Sequence, residues 1–164
     1  MKKFLLAAHL TVAVGLVGAD LALLTLGIAG VGGADPRSVY PAAALVARWL
    51  VAPLVLAALG TGVLQALRNG WGLLRHWWVT IKLAVTLAFT VLVLAVLVPR
   101  IGAAAAGAAA GEVFDAAARL PLAIVPAAAI TAQLALIGLA VAKPRWRLPG
   151  HQAEDHLSRE GKQS

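Results

Sequence analysis

A chain of 164 residues that is 61% hydrophobic and 13% charged, with a mean hydropathy of +0.87, lies outside the range of soluble globular domains and belongs to the membrane class. Its formal net charge of +7 comes from lysines and arginines that flank apolar runs and form no basic face, which argues against a nucleic-acid partner and makes them topology determinants. With no cysteine, disulfides, thiolate metal sites and thiol catalysis are excluded together.

A helix needs about 20 apolar residues to cross a hydrocarbon core, and four segments meet that requirement. In chain order they are 4–29, 42–67, 77–98 and 120–142. The punctuation between them is GVGGADP at 30–36, RNGWG at 68–72, PRIG at 99–102 and KPRWRLPG at 143–150, where Gly and Pro end helices in reach of water. The expected fold is all-α: an integral membrane four-helix bundle within residues 1–147, then a polar, disordered tail over 148–164. In the first segment Lys2 and Lys3 precede an apolar run with Val17, Gly18 and Ala19 at a cleavage-like position, as in a signal peptide. Cutting there would leave LALLTLGIAG, which is too short to span.

Small residues four apart, Gly15 with Ala19 and Gly18 with Ala22, suit close helix packing in the first span. The Ala-rich stretch 101–119 carries Gly107 and Gly111 at GxxxG spacing. Glu112, Asp115 and Arg119 beside them favour a loop with a short helical turn. The tail residues His151, Glu154, Asp155 and His156 are metal-capable types with nothing to fix a ligand geometry, so no metal site is expected there.

With four spans, both termini share a side with the second connection. That side carries Lys2, Lys3, Arg68, Arg75, Lys82, Lys143, Arg145, Arg147, Arg159 and Lys162, against Arg37, Arg48, Arg100 and Arg119 on the other. Ten against four predicts cytoplasmic termini and a multi-pass protein of a bacterial plasma (inner) membrane, with Trp71, Trp77, Trp78 and Trp146 at the inner interface.

Ionisable residues inside spans are costly and point to function by default. Asp20 and Arg48 fall at similar depth in the first two spans and form the expected intramembrane pair, as a structural staple or as a proton or ion relay. An inner seam gathers His9, Gln65, His76, Lys82, Thr86 and Thr90. His9 and Asp20 are eleven residues apart, within about 20° of one helix face, while Trp78, Lys82, Thr86 and Thr90 recur every four residues on the third span. Lys82 either snorkels to the interface or meets a carboxylate or phosphate. His9 and His76 on facing helices are what bis-imidazole haem ligation would use, so haem is the one cofactor to consider. The fourth span offers only Thr131 and Gln133 as polar groups.

The stretches LAAHLTVAVGLVGA, WGLLRHWWVTIKLAVT and KPRWRLPG resemble a family of small bacterial integral membrane proteins catalogued as domain of unknown function 2269, over residues 4–150. The resemblance implies four spans with both ends inside and supplies no activity. His9, His76 and Lys82 are also distantly similar to the four-helix protoporphyrinogen oxidase and copper-resistance membrane families. Two positions depart from the pattern. Leu16 stands where a tryptophan is expected, and Val96, Leu97 and Val98 stand where a histidine would mark a second haem or metal site.

Walker, GxGxxG, GxSxG and HExxH patterns are absent from the sequence, and no set of nucleophile, acid and base is evident. The leading expectation is a non-enzymatic membrane component or accessory subunit, embedded in lipid and assembling with another membrane protein or with itself. The alternatives are a haem-binding redox protein using His9 and His76 and a small proton-coupled transporter using Asp20, Arg48 and Lys82.

Overall fold

The computed structural model describes residues 2–68 and 77–142, without the side chains of 2, 77–79, 82 and 139–142. His76, Trp71 and the tail from 143 onward lie outside the described residues, as do the side chains of Lys82, Trp77 and Trp78. Helix α1 spans Lys2–Val31 and α2 spans Pro36–Arg68. Helix α3 runs over 77–109, and α4 spans Ala116–Ala142. Among the described residues there is no strand, and four helices are long and apolar enough to cross a membrane. Their outward faces remain apolar, with Val14 and Trp49 each 69% exposed, which is the surface a lipid solvent accepts and water does not.

Prolines shape α2 and α3 without breaking them. In α2 the Ala47–Val51 turn widens to a π-helix that ends two residues before Pro53, and in α3 the Val93–Leu97 turn does the same two residues before Pro99. The pyrrolidine ring would strike the carbonyl four residues back, and a wide turn relieves that clash while the N–H groups of Ala52 and Val98 reach the carbonyls of Ala47 and Val93. The break expected at 99–102 is therefore absent. Most of the Ala-rich stretch is helix, with Ile101 and Ala108 buried against α2, and only residues 110–115 connect α3 to α4.

Both connections at this loop end share one design. Gly33 (φ +95°) and Gly111 (φ +87°) adopt the left-handed conformation that closes a helix C-terminus. Ala34 N–H then reaches Ala29 O at 3.0 Å, and Glu112 N–H reaches Gly107 O at 2.9 Å. Gly107 and Gly111 thus build a helix end and a turn rather than a helix-pairing seam. Asp35 and Asp115 cap the next helices, accepting from Arg37 N–H at 3.0 Å and Ala118 N–H at 2.7 Å. Pro36 supplies the preset φ of a first helical residue, so α2 starts six positions before the apolar run that betrays it in the sequence.

Helix α1 packs against α4 on one side and α2 on the other, and α3 packs on α2. Among the described residues α3 and α4 share no comparable seam. The core is rich in small side chains, Ala19, Ala43, Ala47 and Ala108, which let backbones approach closely. The closest approach is at Gly27, where an added Cβ would lie 2.3 Å from the carbonyl oxygen of Leu122 in α4. Pro126, fully buried four residues on, has no N–H for that oxygen. The bare Cα of Gly27 leaves room for that oxygen, which a side chain there would strike.

Candidate functional site

Below the Gly27 crossing the four helices part around a cavity of about 140 Å³. The inward stripe of α1 alternates steps of three and four, through Leu23, Asp20, Leu16, Ala13 and His9, and its last four members line the cavity. Helix α2 adds Val51, Val55 and Ala58, α3 adds Thr86, Phe89 and Val93, and α4 adds Val125, Pro126, Ala129 and Gln133. The walls are apolar, with four polar residues among them: His9, Asp20, Thr86 and Gln133.

Asp20 is 3% exposed and accepts a hydrogen bond at Oδ2 from Gln133 Nε2 across the α1–α4 seam. The other amide atom, Gln133 Oε1, is buried without a partner. Half of the amide is spent on the carboxyl and half is orphaned, a costly arrangement for a site with no purpose beyond packing.

The expected Asp20–Arg48 pair does not form. Arg48 is exposed, with its guanidinium carbon 6.0 Å from the ring centre of its neighbour Trp49. Depth matches but azimuth does not: the inward stripe of α2 runs through Ala43, Ala47, Val51, Val55 and Ala58, and Arg48 sits about 100° round from Ala47. Asp20 pairs with the lone glutamine of α4 instead. The available signal was that Gln133 stands alone with Thr131 in a long apolar helix antiparallel to α1, at a height opposite Asp20.

His9 lies about 16 Å along α1 from Asp20, at eleven residues of 1.5 Å rise. Its Nδ1 is 2.9 Å from Thr61 Oγ1 on α2, beside Gly62, whose missing side chain gives the ring room. Thr61 donates its own proton to Ala57 O at 2.6 Å, so His9 Nδ1 is the donor in this bond. Thr61 carries no signal in the sequence, because a hydroxyl on an apolar helix so often just bonds its own backbone. On α3, Thr86 lines the cavity, and Thr90, 5% exposed, donates to Thr86 O at 2.8 Å. Gln65 is half-buried and away from the cavity lining. Lys82 lies on α3, but its side chain and the whole of His76 lie outside the described residues.

At the loop end a separate polar cluster is fully engaged. Arg119 donates from Nη1 to Gly30 O and from Nε to Phe114 O, each at 3.0 Å, tying α4 to the end of α1. Tyr40 stacks on Phe114 with ring centres 4.5 Å apart and donates its hydroxyl to Ala118 O at 3.4 Å.

Among the described residues no group of three His, Cys, Asp or Glu side chains is placed to hold a metal ion. Comparison with known protein families, with curated proteins and with solved structures finds no match to this chain.

Proposed function

We propose that this chain is a non-enzymatic multi-pass protein of a bacterial plasma membrane, of the kind catalogued as domain of unknown function 2269, with both termini in the cytoplasm and an intramembrane cavity that binds a small ligand. The observation that carries the reading is the cavity itself: all four helices line it, yet its deepest polar group, Asp20, is answered only by half of Gln133. A packing core filled for stability alone would leave neither the void nor the orphaned amide oxygen. Against catalysis stands the spacing of the polar groups. His9 and Asp20 are about 16 Å apart along α1, each with its own partner, too far for both to reach the same reacting atoms of a small substrate.

Benzyl alcohol, a neutral ring-sized probe, tests the reading when titrated into the full chain in phosphatidylcholine nanodiscs. Saturable binding that Ala129→Phe abolishes by filling the cavity is the expected result. Equal uptake by both proteins and by empty nanodiscs removes the proposal. Orientation is tested separately, because a chain without cysteine accepts single ones cleanly. Ala34→Cys and Ala110→Cys in the two connections should react with an impermeant maleimide in intact cells, and Ser164→Cys only after lysis. The reverse pattern inverts the topology.

One observation favours a second reading, haem ligation by His9. Its Nδ1–H bond to Thr61 orients the imidazole as an outer partner orients a ligating histidine. Purified protein expressed with haem supplied should then show a Soret band that His9→Ala removes, and a featureless spectrum ends that reading.

A further inference from the structure

We propose that the cavity is a seat for a small hydrophobic ammonium ion, with the Asp20 carboxylate as its counter-charge and the apolar walls holding its alkyl or aryl body. This rests on the binding-cavity reading above and names the class of ligand.

The first argument is charge. A carboxylate removed from water is stabilised by a cation or neutralised by a proton, and the Gln133 amide hydrogen-bonds Oδ2 while supplying neither. The described cations are committed elsewhere or face outward. Arg119 is spent on the carbonyls of Gly30 and Phe114, and Arg48 lies against Trp49. Arg37 reaches the Gly111 turn, while Lys3, Arg68 and Arg100 are exposed. Of the remaining polar groups on the cavity, Thr86 carries no charge and His9 lies at the far end of the stripe. No described side chain supplies that charge, and the proposed occupant brings it.

The second argument is the shape of the remaining surface. A hard metal cation such as calcium requires about six to eight oxygen ligands. Here the polar lining of the whole cavity is one carboxyl, one amide, one hydroxyl and one imidazole, set among Leu16, Val55, Val93, Val125 and Pro126. That set suits an ion with a single charged head and an apolar body, and Phe89 adds an aromatic ring to the lining. At about 140 Å³ the volume is close to that of an engineered protein cavity, about 150 Å³, that admits benzene. Entry is consistent with the same class, because α3 and α4 both line the cavity and, among the described residues, share no comparable seam. A hydrophobic amine dissolved in the surrounding apolar phase approaches through that gap without crossing a helix contact.

The test compares three ligands of one shape on the full chain in phosphatidylcholine nanodiscs at neutral pH: benzylammonium, benzyl alcohol and benzoate, with empty nanodiscs as baseline. Benzylammonium is expected to bind about tenfold or more tightly than the alcohol, with benzoate excluded. In Asp20→Asn the ratio of ammonium to alcohol affinity falls to about one. The wild-type comparison stands without any variant, so failure of Asp20→Asn to accumulate would not rescue the idea. Equal affinity for ammonium and alcohol overturns it while leaving the cavity reading intact, since a proton on Asp20 would then supply the compensation. No saturable binding of either ligand removes both readings together.

Discussion

The two ends of the α1–α4 seam are built on opposite terms. At the loop end the backbones touch at Gly27 and Leu122, Arg119 satisfies two carbonyls on two segments, and Tyr40 closes over Phe114. About 10 Å further along, seven residues down α1, the same two helices separate around Asp20 and Gln133, with a buried carboxyl and an orphaned amide oxygen beside a void. A region whose polar groups are all answered acts as a clasp. One whose polar groups are half answered in low dielectric is retained at a cost to stability, and binding is the economical explanation.

That contrast can be broken most severely at Gly27. Gly27→Leu forces a side chain into the backbone of α4, and the protein is expected to lose its folded, monodisperse form on extraction; normal yield and melting temperature would show that the crossing is not tight. Next in size is Arg119→Met, which keeps the apolar stem but frees the carbonyls of Gly30 and Phe114. A loss of about 1.5–3 kcal/mol is expected in thermal or denaturant unfolding, as for hydrogen bonds to a charged group.

The pair at Asp20 sharpens the comparison by a double-mutant cycle. Gln133→Leu alone leaves the carboxyl without a partner and should cost about 1–2 kcal/mol, within the range for orphaned polar groups and for hydrogen bonds between membrane helices. Asp20→Leu with Gln133→Leu should recover most of that loss, since two apolar residues leave nothing unsatisfied. If the double variant is the least stable of the set, the pair is a staple like the loop-end clasp. The smallest effect belongs to Gly18→Leu, which faces open space on the outside of α1 and should change stability by less than about 0.5 kcal/mol. A large loss there would mean that this face packs against another chain.

The four helices were legible in the sequence because their signal, a long unbroken apolar run, belongs to each segment alone. Their limits were legible only in part. Pro99 reads as a terminator, yet a π turn that depends on local backbone relaxation carries α3 past it, and the capping by Asp35 draws α2 back to Pro36. Membership of one α1 face by His9 and Asp20 could be read from an eleven-residue spacing, since both lie on a single rigid helix.

What lies across from that face could not be read so. Depth and opposite charge point from Asp20 to Arg48, but which side of α2 turns inward is set by where its alanines let α1 and α3 approach. Sequence alone determined how many apolar helices this chain forms and which residues share a helix face, because both follow from composition and a 3.6-residue period. Only the tertiary structure decided that Gln133 meets Asp20, that Gly27 receives the carbonyl freed by Pro126, and that a cavity opens between them. Those outcomes depend on the rotation and spacing of packed helices, quantities no single segment carries.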